Sequence, residues 1–561
     1  SMFLGKNASR TLFFETNEEP NVTTGPVKKF EETNFLFTQL IGFINNSLIN
    51  KAKSYSNLYI CIRNDGRKVA YSWFDFNSAL IDQVTQFFEG IALTYSTLEI
   101  ELLHSAEIRN LDLKENNSFN SLRGRNAIFI HNSDKVIKYS ALEMISKNLS
   151  FKKLILNDIK ELGLKTTDWL AITLYQSDQY LFSHDKPPSD LYRGNKVVNL
   201  ENITKESTQK SALMMTEWLV NQMTSGKIQY KYWPSRGEYS HANNTIRQWM
   251  ATVCLIRTAK ALNSTQLLQA AELNLSYNLQ SFFKTRGELG YIYLDGSAKL
   301  GAISLAALAI LEAPFRRKFL KEEYALRKTV DHLHNADGSF RTFLIPAERT
   351  DNQNFYSGEA LLFWAVEFSI SKNPELLKKI MTSFSYYKDW HLKNRNPAFV
   401  PWHTQAYYLV WQETKDDQLK EFIFKMNDWL LSMQQWETSS HPDMKGRFYD
   451  PKRSYFGPPH ASSTAVYLEG LIDAFQLAKN TNEPLRAEMY RIAILRGIRS
   501  ITQLQFKDGA DCFYLVNKDR VLGGVRTTVY DNTIRIDNVQ HALMALLKIL
   551  KRFSDQDYRV Q

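Results

Sequence analysis

Six segments between residues 246 and 550 are apolar almost all round and rich in small side chains. They are IRQWMATVCLIRTAKAL (246–262), LGAISLAALAILEA (300–313), GEALLFWAVEFSI (358–370), TQAYYLVWQET (404–414), SSTAVYLEGLIDAFQLA (462–478) and IDNVQHALMALLKIL (536–550). A surface helix keeps one polar face, whereas a helix without one has to be covered on both sides. The segment starts are separated by 54, 58, 46, 58 and 74 residues, a period that marks a repeated supersecondary unit. Amphipathic helices are predicted between them at 265–284, 319–334, 374–390, 416–434 and 485–504, and one more at 211–223 precedes the first. Six inner helices backed by six outer ones predict an all-α, double-layered (α/α)6 toroid over residues 207–555.

The chain before residue 200 reads differently. FLFTQLIGFINNSLINKA has helical periodicity, and NLYICIRNDGRKVAYSWF predicts two strands around Asn64-Asp65-Gly66. The helix SALIDQVTQFFEGIAL, the strand TLEIELLHSAEI, the hairpin NAIFIHNSDKVIKYSA, the short helices ALEMISKNL and KKLILNDIKELGL, and the strand WLAITLYQSDQYLF follow. This order predicts an α+β domain with an antiparallel sheet at 34–185. Residues 1–33 have no sustained periodicity and are expected to form a flexible arm. Residues 186–206, with their Pro, Asp and Gly, are expected to form a linker.

The order of elements in 34–185, with its IEIELL-type strand and its Leu-Gly-Leu before a Trp and a final strand, resembles the AMMECR family. That family carries a Leu-Arg-Gly-Cys-Ile-Gly signature after the first strand, where this chain has RKVAYSWF. With the Cys-containing motif missing, a docking or scaffold role, with a protein partner, is expected of this domain.

Composition narrows the function classes. Apolar residues make up 44% and charged residues 23%, the balance of a soluble protein with ample core. No apolar run approaches the length of a membrane span, and the N-terminus lacks the apolar stretch of a secretory signal, so a cytoplasmic, bacterial protein is expected. Three scattered cysteines (Cys61, Cys254, Cys512) predict neither a disulfide framework nor a zinc site. A net charge of +10 is compatible with anionic partners but lacks the dense basic clusters of nucleic-acid binders. There is no Gly-Lys-Ser/Thr phosphate loop and no Asp-x-Asp-Asp acid. No metal and no cofactor is expected.

Gly-aromatic turns such as GELGYIYLDG (287–296), NADGSFRTF (335–343), GRFYDP (446–451) and DGADCFYL (508–515) precede inner helices. They gather on one rim with the inner-helix N-termini, which outlines a cup. Short hairpins before inner helices resemble the toroids of terpene cyclases, sugar epimerases and many glycoside hydrolases or lyases. Polar residues cluster at this rim, where an apolar helix has least use for them. Asn244, Arg247 and Gln248 open the first inner helix, with capping as the competing use of Asn244. Tyr356 and Glu359 open the third, and Trp402 and His403 the fourth. His460 precedes the fifth, which buries Glu469 two turns in. Arg526, Arg535, Asp537 and His541 crowd the approach to the sixth.

Asp537 and His541 are four residues apart, so one carboxylate is placed to orient one imidazole. The alternative is a buried ion-pair network that closes the ring. The catalytic candidates are Glu359, Glu469, Asp537, His541, His403 and His460. The substrate-binding candidates are Arg247, Gln248, Asn244, Tyr356, Trp402, Arg526 and Arg535. The expected function is a carbohydrate-active enzyme, a hydrolase, lyase or epimerase, acting by general acid/base chemistry on an acidic or amino-sugar polymer. The competing class is a non-catalytic interaction or effector protein that uses both domains as docking surfaces.

Overall fold

The computed structural model describes residues 26–49, 53–92, 94–112, 122–165, 169–184 and 186–560. Residues 1–25 of the expected arm lie outside the described residues. The last part of that segment is helical, because α1 runs Pro26–Ile49. Proline suits a first helical turn, where its missing N–H would have had no partner.

Strands β1 (Asn57–Asn64) and β2 (Arg67–Asp75) turn at Asp65 and Gly66, both with positive φ, 47° and 83°. This two-residue turn matches the twist of its strands. Then come α2 (Leu80–Glu89), β3 (Thr97–Asp112), β4 (Asn126–Asn132), β5 (Lys135–Tyr139), α3 (Ala141–Ser146), α4 (Phe151–Asp158), β6 (Trp169–Ser183) and β7 (Ser189–Leu191). The sheet order is β2-β1-β3-β6-β4-β5, with β7 on β6, and each pairing is antiparallel. Alternation puts Leu58, Ile60 and Ile62 on one face of the sheet, against Leu40 and Ile44 of α1 and Val84 of α2.

The expected linker is not a loose tether. It contributes β7, and the buried Arg193 donates to Asp443 at 2.9 Å and to the Arg123 carbonyl at 2.7 Å. Tyr192 meets His441 Nδ1 at 2.7 Å. Gln503 holds both the Val198 N–H and the Lys196 carbonyl. A Cβ on Gly66 would stand 2.0 Å from the Leu515 carbonyl oxygen, so the β1–β2 turn rests directly on backbone of the helical part.

That part contains α5 (Lys205–Asn221), α6 (Thr245–Leu262), α7 (Thr265–Phe282), α8 (Leu300–Glu312), α9 (Leu320–Leu333) and α10 (Tyr356–Ser371). It continues with α11 (Pro374–Lys393), α12 (Phe399–Thr414), α13 (Asp417–Leu431), α14 (Ala461–Asn480), α15 (Pro484–Leu504) and α16 (Ile536–Arg552). The even-numbered helices from α6 onward pack in a circle: α6 on α8, α8 on α10, α10 on α12, α12 on α14, α14 on α16, and α16 back on α6. Behind them, α7 backs α6, α9 backs α8, α11 backs α10, α13 backs α12, α15 backs α14, and α5 backs α16. The ring is closed. Its inner wall is apolar for the reason the sequence implies: every residue of α8 from Leu300 to Leu311 is buried.

The rim turns vary in form. GELGYIYLDG forms the strand Leu289–Leu294, in a sheet with Phe283–Arg286, Ser297–Lys299 and Phe343–Ile345. DGADCFYL instead makes a single helical turn, Gly509–Cys512, capped by the Asp508 side chain.

Arg193 and Asp443 are both almost fully buried, and removing one member of such a pair leaves an uncompensated buried charge. Arg193→Ala is therefore expected to cost about 3–5 kcal/mol, read as a lowered unfolding temperature and denaturant midpoint.

Candidate functional site

The inner helices run in parallel, so their first turns share one mouth of the ring. Two clusters of predicted residues meet there. In the first, Asp537 Oδ2 accepts from Arg247 Nε at 3.1 Å and from Arg535 at 3.0 Å. Arg535 also donates to Ser462 Oγ at 3.0 Å, and Arg247 donates to the Tyr230 hydroxyl. This network links α6, α14 and α16. His460 sits at the N-cap of α14 within the same field. Burial, aided by the Arg535 charge and opposed by Asp537 and Asp531, lowers its pKa to about 4. His460 is therefore uncharged at neutral pH.

The second cluster lies deeper. His541 Nδ1 and Glu469 Oε2 are 2.7 Å apart, and the Trp402 ring stands edge-on to His541 at 6.0 Å between centroids. The partner of His541 is thus Glu469 of the neighbouring helix, not Asp537 as its four-residue spacing predicts. Asp537 turns instead to its two arginines, because two full charges outbid one imidazole. Glu469 is fully buried, and its Oε1 has no hydrogen-bond partner. Ser462, Ser463, Val466 and His541 are partly exposed.

Glu359, in the first turn of α10, is almost fully buried, and its Oε2 is without a partner. Burial pushes its pKa well above the ordinary carboxylate range, and Lys299, at the start of α8, only partly offsets this. A Cβ on Gly301 would lie 2.1 Å from Oε2, so only glycine leaves room for this carboxyl between α8 and α10. Tyr356, nearly buried, packs against Phe343 at 5.6 Å.

Four predicted residues do not join the site. His403 is fully buried, stacks on Phe399 at 3.5 Å and bonds Tyr407 and Ser357. Burial drives its pKa well down, so it is withdrawn from proton transfer with a substrate. Arg526 is spent on the carbonyls of Leu504 and Gln503 at the end of α15, where a helix C-terminus lacks donors. Gln248 donates to the Ile228 carbonyl and to Asn243. Asn244 caps α6 by accepting from the Arg247 N–H.

At the opposite mouth, Lys548 and Arg552 converge on Asp473, and Arg257 pairs with Glu312, around a cavity of about 590 Å3. Lys260 and Lys551 also line this cavity, so five cations face two carboxylates there, and no imidazole lines it. Burial lowers the pKa of Lys548 there to about 8, so this mouth holds an amine able to exchange a proton, while the imidazoles His460 and His541 lie on the N-terminal side. Among the described residues no cluster of three or more His, Cys, Asp or Glu could hold a metal ion, and no helix is long and apolar enough to cross a membrane.

No family model and no curated protein matches the chain. The resemblance of residues 34–185 to the AMMECR family thus rests on element order alone. Solved structures do match. An alpha-1,6-mannanase from Salegentibacter sp. HEL1_6 is 13% identical with a TM-score of 0.44, over 60% of this chain and 98% of that one. A sugar epimerase from a ruminal bacterium is 11% identical with a TM-score of 0.46, over 62% and 98%. A D-mannose isomerase is 11% identical with a TM-score of 0.48, over 63% and 99%.

Sequence reasoning missed Lys299 and the Asp473–Lys548–Arg552 group. A signal existed for the latter. Asp473 lies four residues after Glu469 and Lys548 seven after His541, so each repeats a charge on one face of an apolar helix.

The folded chain binds the Glu359 proton more tightly than the unfolded chain does. The stability this contributes is present below the usual value of 4.5 and is lost as pH rises toward the folded value. Glu359→Gln is expected to raise the unfolding temperature at pH 8 and to leave it nearly unchanged at pH 4. An equal change at both would show that Glu359 has an ordinary pKa.

Proposed function

We propose that the protein is a carbohydrate-active enzyme whose N-terminal ring mouth carries out proton transfer on an acidic or amino sugar. The observation that carries this is the 2.7 Å contact between His541 Nδ1 and Glu469 in the inner wall. A carboxylate on one ring nitrogen fixes the tautomer and leaves the other nitrogen to take or return a proton. Glu359, at the same mouth with its pKa raised by burial, is the candidate acid, and meeting a substrate requires movement at the contact between α8 and α10. Trp402, edge-on to His541, walls the imidazole, and the exposed edges of Arg247 and Arg535 suit a carboxylate or hydroxyl. Such a set of groups serves elimination or epimerisation at a sugar carbon more directly than hydrolysis. Hydrolysis needs two free carboxyls about 5–10 Å apart, and Asp537 is already committed to Arg247 and Arg535.

A docking protein is the second possibility, with the AMMECR-like domain meeting a protein partner. What favours it is the same commitment of Asp537, which closes the ring without need of a substrate.

The test is a panel of uronic-acid and amino-sugar oligosaccharides followed by NMR in deuterated water. The expected outcome is carbon-bound deuterium or an unsaturated product, reduced about 100-fold or more by His541→Gln. Glu469→Gln should reduce it too, whereas His403→Gln should leave the rate per folded molecule unchanged. New reducing ends alone would indicate hydrolysis. No turnover of any member, or turnover indifferent to His541→Gln, would favour the docking role.

A further inference from the structure

A second polar cavity, of about 360 Å3, lies where the sheet-bearing part meets the ring. From the sheet side it is lined by Arg123, Lys147 and Lys153, and from the ring side by Trp233, Arg236 and Asp531. Four cations face one carboxylate. Lys147 shares its charge with Glu143 at 2.6 Å. Among the described residues, none of Arg123, Lys153 and Arg236 has an ion-pair partner within 4 Å.

Arg123 is the most telling of these. It is 8% exposed, its Nε is buried without a hydrogen-bond partner, and one of its outer nitrogens reaches only the neutral Asn148 Oδ1, at 3.2 Å. Asp531 acts on it through space and the Tyr530 ring lies 5.9 Å away, but no carboxylate touches it, so one carboxylate is left to serve a cavity with three unpaired cations, which favours a further anion. Arg236 lies over the Trp233 ring at 3.8 Å, a flat apolar and cationic surface. Asn148 Nδ2 holds Asp531 Oδ1 at 3.1 Å and so ties the two halves of the cavity together.

The cavity also points toward the mouth. Asp531 and Thr533 line it, and Arg535, on the same strand Asp531–Arg535, contacts Asp537 and Ser462 at the mouth. Alternate residues of a strand share a face, and four residues of rise span about 13 Å. Asp531, Thr533 and Arg535 are the partly exposed residues of this strand, and the distance they span suits a short oligosaccharide.

We infer that this cavity is a distal subsite for the carboxylates or sulfates of an acidic saccharide whose terminal unit enters the ring mouth. This rests on the proposed function, and it gives the sheet-bearing part a role in holding substrate. Arg123 and Lys153 meet the anionic groups, Trp233 and Arg236 lie under a sugar ring, and Arg535 hands the chain on to the mouth.

The test measures binding of an oligogalacturonate hexamer, the corresponding dimer and neutral mannohexaose by calorimetry, on His541→Gln so that no turnover intervenes. Lys153 and Arg236 are exposed, so Lys153→Glu/Arg236→Glu should fold normally, which an unchanged unfolding temperature verifies. The hexamer is expected to bind the double variant about tenfold or more weakly, while the dimer binds both proteins alike. Trp233→Ala should weaken the hexamer as well. Equal hexamer affinity in both proteins, equal binding of mannohexaose, no binding at all, or tighter binding of a single-stranded oligonucleotide through the same residues would each overturn the inference. The two proposals fail separately. If hexamer binding depends on Lys153 and Arg236 while turnover ignores His541, the subsite stands and the chemistry falls. If turnover depends on His541 while hexamer binding ignores the double variant, the chemistry stands and the subsite falls.

Discussion

The ion pair of Asp537 with Arg247 joins the last inner helix to the first, with Arg535 at the cap of the last helix bracing the same carboxylate, and most else in the helical part depends on that junction. A row of helix pairs can stack indefinitely. It becomes a ring only if its final member finds the first, and here α16 does so through apolar packing along its length and charge at its tip. Once the ring shuts, its first turns are forced to face one another, and residues nearly 300 positions apart share a mouth. Asp537 lies close to both arginines and is nearly buried, so the arrangement is geometrically specific in a way apolar packing is not.

Much of the fold could be read from the chain because its signals were local and repeated. Apolar helices with no polar face imply a covered inner layer, and the alternation with amphipathic helices gives the outer one. The Asn64-Asp65-Gly66 turn and the alternating strands around it likewise imply an antiparallel sheet. Less legible was the segment at 186–206. Its Pro and Gly content suggests a tether, but Arg193, Tyr192 and Val198 find partners around 441–443 and at Gln503. No local pattern reveals a partner 250 residues away.

The site was legible in part, and its misreadings have one origin. Spacing along a helix tells which residues share a face but not which neighbour that face meets. His541 looked suited to Asp537, and the ring gave it Glu469. His403 lies beside Trp402 in sequence, yet successive residues of a helix point about 100° apart, so the indole faces inward and the imidazole is walled in by Phe399 and Tyr407. Arg526 and Gln248 were read as ligand-facing because they are polar near a rim. Arg526 is spent on two backbone carbonyls, and the Gln248 amide on the Ile228 carbonyl and Asn243 Oδ1, needs the sequence does not display. Glu359 and Glu469 stood out for a sound reason, since a carboxyl on an apolar helix has to be paired or protonated.

One property of the ring follows from its inner helices all running the same way. Each carries about half a positive charge at its start and half a negative charge at its end, and in a bundle of antiparallel neighbours these largely cancel. Here the inner layer does not cancel within itself, so the lumen is an electrically polar tube. The side chains offset that polarity: Glu359 and Asp537 stand at the helix starts, and Lys260, Lys548, Lys551 and Arg552, with Glu312 and Asp473 among them, at the helix ends. A charged molecule on the axis therefore meets backbone partial charges that the side chains of each mouth partly cancel, and the surplus of cations at the helix ends leaves that rim, not the helix starts, the more positive of the two.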